Sequence, residues 1–422
     1  MSELVKLNDL TLGIDNVWLP SKQEKAFNYS DGAQAEQSLY RVLSTAKDLS
    51  SESGELAENI SDWPTEYHLS AARANLLKPF KIIGRNENEK LRILEIGCGC
   101  GSITRFLAER KNVVVDAVEG SPIRAGLAAM RCRDLDNVTI CAANINDLNL
   151  PQAHYDLVVL VGVCEYAGRF SKKKDDVSAV VELLNKARLS LNINGRVITA
   201  IENRLGLKYL LGANEDHYAQ AYIGLDDYPE STGIRTYSRD QWRGLIKRAQ
   251  FVYSHFLLPF PDYKIPSVIT SEDLDSNTTR KVLDKAPSRD YSRPDFNGPE
   301  NEERVWQGLA QSGKLSEHAN SFLIVLSNAQ RGISDVREFE VAKYAYLEPT
   351  YCNKGVNTNE TTNVVAESGR QVDSKTIERL QAEITQLQTH TSNLERKVKI
   401  MANSIGWRGL NVVRRFLGRS GV

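Results

Sequence analysis

Three glycines and two glutamates stand where a strand and a helix would hold a nucleoside. Gly97, Gly99 and Gly101 follow the apolar run LRILEI and precede the amphipathic segment SITRFLAER. Glycines at such a turn let the backbone approach a ligand closely. Glu119 ends the next β-branched run, where a carboxylate can accept hydrogen bonds from both hydroxyls of a ribose. With Glu95 inside LRILEI, these residues predict a nucleoside-binding site.

S-adenosylmethionine fits this pattern better than a dinucleotide does. A dinucleotide fingerprint needs its third glycine one residue after Gly101, where this chain has Ser102. Glu95 would repel a pyrophosphate, whereas it would attract the ammonium group of S-adenosylmethionine. Asn144 and Ile145 follow the third predicted strand and offer a polar and an apolar side chain to the edge and face of an adenine. We therefore predict S-adenosylmethionine as the cofactor.

The fourth predicted strand ends in GVCEYA, residues 162–167, and Gly162 is expected beside the cofactor. This string differs from the Asn-Pro-Pro-Tyr or Asp-Pro-Pro-Tyr with which exocyclic-amine methyltransferases hold a nucleobase nitrogen, so we expect a hydroxyl acceptor. Methyl transfer from a sulfonium is an in-line displacement, which depends mainly on positioning and desolvation. A hydroxyl must also lose its proton, and a histidine with a pKa near neutrality is the usual recipient.

His217 in GANEDHY is the first candidate for that general base. It follows the fifth predicted strand on the carboxyl side of the sheet, with Glu215 and Asp216 available to orient its ring. The alternative is that Glu215, Asp216 and His217 form a solvated loop without a chemical role. Only proximity to an acceptor would decide between the two interpretations.

His68 in WPTEYHLS is the second candidate base. An equally supported interpretation places His68 at the amino-acid end of the cofactor, together with Tyr67 and Arg73. A purely structural role for the three residues is a further alternative. The sequence leaves these roles open.

The wider pattern predicts an α/β fold of the Rossmann-like type. Short β-branched runs alternate with helical segments from Leu91 onward: LRILEI, VVVDAVE, VTICAA, YDLVVLVGV and RVITAIE. That alternation is typical of a parallel sheet with helices on both faces. We expect a helix from Ser70 to Phe80, a long polar segment from Asn203 to Ser238, and an irregular stretch of about 60 residues between FVYSHFLLPF and NSFLIVLS that forms the substrate side.

The chain divides by composition into five predicted segments. In order they are an N-terminal cap (1–85), a methyltransferase domain (86–330), a flexible linker (331–374), a coiled-coil helix (375–402) and a basic amphipathic tail (403–422). The coiled coil rests on spacings of three and four between Ile377, Leu380, Ile384, Leu387, Thr391, Leu394, Val398 and Met401. A parallel dimer is favoured over a trimer, and the alternative is a lone helix packed on its own domain.

Charge and cysteine content restrict the partners. The 422 residues carry a formal net charge of -1, and the first 390 lack a long basic block, so nucleic acid is not expected as a partner. The tail from Lys397 carries six positive side chains and no acidic one, which suits an anionic membrane surface. Six cysteines without C-x-x-C spacing predict neither a metal site nor disulfides. No signal-peptide pattern opens the chain, so we expect the cytoplasm or the cytoplasmic face of the inner membrane.

Longer strings between Phe27 and Ser327 resemble a known family. They are NYSDGAQAEQSLY, DWPTEYHLSAARANLL, ILEIGCGCGSITRFL, AVEGSPIRAGLA, VGVCEYAG, IENRLGLKYLLGANEDHY, PFPDYKIPSVITSE and NSFLIV. The chain is similar to class I S-adenosylmethionine-dependent methyltransferases encoded with bacterial O-antigen and other surface-polysaccharide enzymes. Some of those enzymes form one half of chain-terminating methyltransferase-kinases. Relatives often have aspartate where Asn144 stands, and no kinase signature follows residue 330 here.

The resemblance implies an acceptor and partners as well as a cofactor. The acceptor would be a saccharide hydroxyl on a growing glycan or its lipid-linked precursor, and glycosyltransferases at the membrane would be partners. It leaves open the sugar and whether methylation terminates the chain. Two other functions remain open: methylation of a small molecule or a protein, and a catalytically inert scaffold that organises glycosyltransferases.

Overall fold

The computed structural model describes residues 2–13, 15–21, 32–82, 89–173, 175–229, 232–334 and 344–347. The chain divides into two compact units, Met1–Lys354 and Gly355–Val422. The second unit lies outside the described residues, as does most of the predicted linker, so the coiled coil and the basic tail stay predictions. In the part of the chain that is described, no helix has the length and apolar character to cross a bilayer.

Eleven of the described strands form one sheet. Its strands in chain order are β1 (Leu10–Leu12), β2 (Val17–Pro20), β3 (Leu91–Ile96), β4 (Val113–Glu119), β5 (Val138–Ala142), β6 (Tyr155–Val161), β7 (Leu191–Glu202), β10 (Tyr253–Phe260), β11 (Val268–Ser271), β12 (Ser321–Ser327) and β13 (Tyr344–Tyr346). The short strands β8 (Asn214–Glu215) and β9 (Gln220–Ala221) pair with each other in a separate two-stranded sheet.

The order of the sheet is β1-β2-β5-β4-β3-β6-β7-β12-β10-β11-β13. Strands β3 to β7 are parallel, and β12 lies antiparallel between β7 and β10. The order reverses at β3, which has β4 on one side and β6 on the other. In sheets of this type, ligands bind beyond the carboxyl ends of the strands at the point of reversal. The topology confirms the predicted Rossmann-like fold.

The described α-helices are mostly short. They are α1 (Glu3–Leu7), α2 (Ala33–Thr45), α3 (Gly54–Ala57), α4 (Trp63–Leu69), α5 (Ser102–Ala108), α6 (Pro122–Arg131), α7 (Ala167–Phe170), α8 (Asp176–Ser190), α9 (Leu207–Leu210), α10 (Arg239–Arg248), α11 (Ser276–Leu283), α12 (Glu302–Gln311) and α13 (Leu315–His318). Side-chain caps set several starts. Asp62 accepts the Thr65 N–H at 2.9 Å before α4, and Asp175 accepts the Ser178 N–H at 2.8 Å before α8.

Apolar side chains cover both faces of the sheet. Leu94 and Val158 pack in one buried cluster with residues of α8 and α10, whereas Ile93 and Val159 pack in a second cluster with residues of α5 and α6. Successive side chains of a strand point to opposite faces, so β3 and β6 each contribute to both clusters. Helices on both faces confirm that part of the predicted fold. The side chain of Glu95 shares a face with Ile93 and is buried between β3 and α5, where it contacts Thr104.

The predicted helix from Ser70 to Phe80 is wrong. Helix α4 ends at Leu69, and a 3-10 helix, Ala71–Leu76, begins after Ser70. The backbone of Ser70 is extended and its hydroxyl accepts the Ala72 N–H at 3.1 Å, so the residue ends one helix and caps the next.

Two further regions are more ordered than the sequence predicted. The N-terminal segment contributes strands to the main sheet, since β2 pairs in parallel with β5, and residues 1–85 therefore do more than cap the domain. The stretch between β10 and β12, predicted to be irregular, contains β11 and the helices α11, α12 and α13. These strands and helices are too short for their apolar residues to show a clear period in the sequence.

Candidate active site

A cavity of about 450 Å³ lies at the carboxyl ends of β3, β4 and β6, where the strand order reverses. All predicted site residues except Gly101 line it: Tyr67, His68, Arg73, Glu95, Gly97, Gly99, Glu119, Asn144, Ile145, Gly162, Asp216 and His217. These residues come from widely separated parts of the chain, and the fold brings them around one space.

The loop from Gly97 to Gly101 has the backbone that only glycine adopts easily. Gly97, Gly99 and Gly101 have φ angles of +78°, +56° and +82°. A Cβ on Gly97 would lie 2.4 Å from a methyl group of Val163, which allows no side chain. Gly101 has a different task from the predicted one: its Cβ would lie 2.9 Å from the Ala128 Cα, so this glycine lets α5 approach α6. Gly101 does not line the cavity, so the structure assigns it to helix packing instead of the predicted cofactor contact.

Glu119 is fixed at the cavity wall by two backbone donors. Its carboxylate accepts the Gly99 N–H at 2.8 Å and the Ser121 N–H at 2.9 Å. The side chain is buried but lines the cavity, so its remaining lone pairs can accept hydrogen bonds from a ligand.

Glu95 lies beneath the glycine loop. The Thr104 hydroxyl donates to its carboxylate at 2.6 Å. Burial raises the pKa of Glu95 to about 7, against the lowering effects of that hydrogen bond and of the Arg73 charge. A ligand ammonium beside this carboxyl would favour its ionised form.

Tyr67, His68 and Arg73 form one contact group beside the loop. The Arg73 guanidinium stacks 4.1 Å from the centre of the Tyr67 ring and donates to the Tyr67 hydroxyl at 3.1 Å. The His68 ring meets the Tyr67 ring edge-on at 4.9 Å, and its Cε1 lies 3.9 Å from the Cβ position of Gly99. His68 is thus next to the glycine loop, which fits the cofactor role better than the role of base.

The residues expected at the adenine are partly committed to the fold. The Asn144 side chain accepts the Asn146 N–H at 3.0 Å and donates to the Phe170 carbonyl at 3.1 Å. Ile145 lines the cavity as predicted. Gly162 has a φ of +67°, and a Cβ there would lie 2.9 Å from the Tyr263 hydroxyl, so glycine is required at this position.

A second group of titratable side chains is formed by Glu165, Glu202 and His217, of which Glu165 and His217 line the cavity and Glu202 is fully buried. Glu165 follows β6, and Glu202 is the last residue of β7. His217 Nε2 lies 3.6 Å from Glu202 Oε2, and His217 Nδ1 lies 3.0 Å from the Tyr166 hydroxyl. The ring is therefore oriented by Glu202 and Tyr166.

Glu215 and Asp216 were expected to orient the His217 ring, but their carboxylates contact other groups. Glu215 accepts the backbone N–H of His217 at 2.8 Å and so shapes the loop rather than the ring. Asp216 pairs with Lys208 at 2.8 Å and with Lys264 at 3.1 Å. The prediction that Glu215 and Asp216 orient the His217 ring is therefore wrong, because both carboxylates pair with nearer donors.

Protonation in the cluster also differs from the expectation. Burial opposes a charge on His217, but the carboxylates of Glu202, Glu215 and Glu165 outweigh it and raise the pKa of His217 to about 9. Burial and the charge of Glu202 raise the pKa of Glu165 to about 8. Burial works against the charge of Glu202, yet Lys264 and His217 hold the pKa of Glu202 well below its ordinary value. His217 is therefore protonated at neutral pH, whereas the sequence analysis expected a histidine with a pKa near neutrality.

Comparison with known proteins finds a known kind of domain in one part of the chain. Residues 93–184 match the family model described as a methyltransferase domain. Over 92 residues the chain is 37% identical to the cyclopropane-fatty-acyl-phospholipid synthase of Escherichia coli, a match that covers 22% of each chain. The chain thus spans about a fifth of the length of that curated relative. Residues 93–184 lie in a SAM-dependent methyltransferase domain.

Two of the solved structures similar to this chain are described as methyltransferases. A phosphoethanolamine N-methyltransferase of Haemonchus contortus with S-adenosylmethionine has 15% identity and a TM-score of 0.36, over 61% of this chain and 52% of that one. A Thermotoga maritima methyltransferase described as a possible histamine N-methyltransferase has 16% identity and a TM-score of 0.36, over 62% of this chain and 91% of that one.

The cofactor of this methyltransferase domain is S-adenosylmethionine, and the cavity has the groups to hold it. Glu119 can accept from the ribose hydroxyls, and the buried Glu95 can balance the ammonium. Gly97 and Gly99 line the cavity with backbone atoms alone, because neither carries a side chain. Ile145 offers an apolar surface to the adenine.

Sequence reasoning missed several residues of the methyltransferase cavity. Glu165 and Lys264 stand in GVCEYA and PFPDYKIPSVITSE, strings that were noted without assigning these side chains. Glu202 ends RVITAIE, where its place at the carboxyl end of a parallel strand was the available signal. Acidic residues at strand ends are common, so only the assembled fold distinguishes these.

Proposed function

We propose that this protein transfers a methyl group from S-adenosylmethionine to a saccharide hydroxyl during synthesis of a bacterial surface polysaccharide, O-antigen or capsule. The observation that carries the proposal is the shared cavity: Glu95 and Glu119 line one end, and Glu165 and His217 line the other. With the ammonium and the ribose of S-adenosylmethionine bound at the first end, the methyl group to be transferred would point into the space between the two ends of the cavity.

The surroundings of the acceptor end support a saccharide. A sugar presents apolar C–H faces and hydroxyl edges, and this cavity offers both aromatic rings and ionisable groups. Trp63 and Tyr291, whose rings stack at 3.7 Å, line it together with Tyr166. Tyrosine and tryptophan suit such a ligand because each joins an apolar ring to a polar group. The resemblance to surface-polysaccharide methyltransferases points to the same class of acceptor.

The proposed reaction is an in-line displacement at carbon. When bound, S-adenosylmethionine supplies the methyl carbon, and the electron pair of the broken carbon–sulfur bond remains on sulfur. The acceptor oxygen forms the new bond with its lone pair and gives up its proton. Glu165 and His217 face the cavity as the candidate recipients of that proton, each when deprotonated. The ring of His217 is held for this role by Glu202.

The test is transfer of a labelled methyl group into the cognate glycan. Purified protein receives S-adenosylmethionine with a labelled methyl group and either the polysaccharide or its lipid-linked precursor. The expected product is a methyl ether, which survives mild alkali, whereas a methyl ester would lose the label. The Glu119→Gln variant serves as the matched donor-site control. Label found in protein, in an amine or in an alkali-labile ester would contradict the proposal.

We also propose that residues 375–422 make the protein a homo-oligomer on the cytoplasmic face of the inner membrane, near glycosyltransferases. The heptad spacing and the six positive side chains from Lys397 onward support this. Truncation before Ser374 is expected to give a monomer that still methylates a short acceptor and no longer sediments with anionic vesicles. An unchanged oligomeric state would contradict the coiled coil, and salt-insensitive vesicle binding would contradict the electrostatic anchor.

A further inference from the structure

The cluster of Glu165, Glu202 and His217 has the composition and the spacing of a metal site. Each residue offers one possible ligand atom. Two of these atoms are carboxylate oxygens and the third is an imidazole nitrogen, and all three lie within 4.8 Å of one another. Parallel strands β6 and β7 bring the two carboxylates together, because both follow or end a strand at the same edge. Ligands about 2.0 to 2.2 Å from one ion lie no more than about 4.4 Å apart, so only a slight closure is needed.

The atoms that face one another in this cluster need a partner. Glu165 Oε2, Glu202 Oε2 and His217 Nε2 are buried and make no hydrogen bond within the described part of the chain. The side chains of Glu165 and Glu202 are 2% and 0% exposed. A buried polar atom without a partner is costly, and three of them on residues whose ligand atoms lie within 4.8 Å of one another are rare unless a ligand satisfies them.

Neighbouring lysines are already engaged elsewhere. Lys208 pairs with Asp216, and Lys264 pairs with Asp216 and with the other oxygen of Glu202. They leave Glu202 Oε2 facing His217 at 3.6 Å. A divalent cation bound here would displace the protons of Glu165 and His217 and would be held by two carboxylates and a neutral imidazole.

We propose that Glu165, Glu202 and His217 bind one divalent metal ion of the Mn²⁺ or Zn²⁺ type. Two carboxylate oxygens with one imidazole form a mixed donor set that suits these ions better than Ca²⁺, which takes six to eight oxygens. Glu165 and His217 line the cavity, so the remaining coordination positions of the ion open toward the acceptor. The sequence analysis expected no metal because it considered the cysteines, whereas these ligands are spread over three separate segments.

The inference rests on the proposed function for its role in the reaction. A metal-bound hydroxyl has a lowered pKa, as metal-bound water does. The acceptor hydroxyl would coordinate the ion and release its proton to water, and its oxygen would then bond to the methyl carbon while the carbon–sulfur electron pair stays on sulfur. In that case His217 acts as a neutral ligand rather than as the general base.

The experiment measures metal binding directly, without an acceptor. The full chain is stripped with EDTA, exchanged into metal-free buffer and titrated with Mn²⁺ alone, and bound Mn²⁺ is followed by the loss of the free-ion electron paramagnetic resonance signal. We expect about one Mn²⁺ per cluster, displaced by Zn²⁺. Glu165→Gln and Glu202→Gln should each weaken binding at least about tenfold. Glu182→Gln, a half-exposed carboxylate of α8, is the matched control and should bind as the wild type does.

S-adenosylmethionine binding by calorimetry checks that each variant is folded. Equal Mn²⁺ affinity in the wild type and in the Glu165→Gln/Glu202→Gln double variant would overturn the site, as would the absence of Mn²⁺ and Zn²⁺ binding in the wild type. Mn²⁺ bound at the cluster in a protein that methylates no saccharide would uphold the site and contradict the proposed function. Saccharide methylation unchanged by EDTA, with no metal bound, would contradict the site and uphold the function.

Discussion

The two ends of the cavity are built in different ways. The donor end, formed by Glu95, Gly97, Gly99 and Glu119, comes from two adjacent strands and the loop after the first. The acceptor end, formed by Glu165, Glu202, Asp216, His217 and Lys264, comes from four separate segments and consists of charged side chains. The donor end is shaped by backbone geometry, whereas the acceptor end is shaped by electrostatics. Substitutions at the two ends should therefore fail in different ways.

The largest expected effect is at the acceptor end. His217→Ala should lower turnover about a hundredfold or more, because the displacement loses either a proton acceptor or a metal ligand. Donor affinity should stay near that of the wild type, since the His217 ring contacts Glu202 and Tyr166 rather than the glycine loop. Single-turnover transfer from labelled donor measures the first quantity and calorimetry the second. Normal turnover in this variant would mean that His217 has no chemical role, and the comparison between the donor end and the acceptor end would fail.

At the donor end, the backbone itself should be the sensitive element. Gly97→Ala should destabilise the fold by about 2 to 4 kcal/mol, because the residue has a φ of +78° and its new Cβ would meet Val163 at 2.4 Å. Urea denaturation measures the change. Gly126→Ala is the matched control: nothing lies within 4 Å of that Cβ, and alanine inside α6 should be neutral or slightly stabilising. Similar losses in both variants would refute the steric argument.

Glu119 tests the charged contact at the donor end. Glu119→Ala should weaken S-adenosylmethionine binding by about 1.5 to 3 kcal/mol, the range for hydrogen bonds to a charged group. The substitution also frees the Gly99 and Ser121 N–H groups, so Glu119→Gln, which keeps a side-chain oxygen, should show a smaller loss. Calorimetry gives both affinities. Unchanged affinity in the alanine variant would show that Glu119 does not bind the ribose.

The smallest effect is the pH dependence of donor binding. Burial gives Glu95 a pKa of about 7 in the free protein, so below pH 7 it is mostly neutral and must lose a proton to pair with the donor ammonium. Affinity should therefore rise with pH through 7, by about eightfold between pH 6 and pH 7.5. Calorimetry from pH 5.5 to 7.5 measures the curve. Glu95→Gln should flatten it, and a wild-type curve already flat there would assign the ammonium to another group.

How far the sequence predicted each end follows from the same contrast. The glycine loop, Glu95 and Glu119 have fixed spacings around consecutive strands, so a single reading of the chain predicted that they lie together, and the structure places them around one cavity. A parallel sheet with helices on both faces was likewise expected from the alternating pattern, whereas the order of its strands was not predicted. Gly101 was assigned to the ligand because its contact with Ala128 depends on how two helices pack, which no local spacing encodes.

The acceptor end could be predicted only in part. His217 was correctly expected at the cavity, but its partner Glu202 is 15 positions away and belongs to a strand end that looks like any other. The raised pKa of His217 depends on three carboxylates that meet only in the folded chain. Electrostatic coupling of this kind depends on distance in space, and sequence separation carries no information about it.

The most direct test of the shared cavity is a split between donor affinity and turnover in two matched variants. Glu119→Gln and Glu165→Gln each replace one carboxyl group, at opposite ends of the cavity, and both are measured with labelled S-adenosylmethionine and the cognate glycan. We expect Glu119→Gln to raise the KM for the donor with a kcat close to that of the wild type. Glu165→Gln should lower kcat while the donor KM stays unchanged. If both variants change the same parameter, the division of the cavity into a donor end and an acceptor end is wrong.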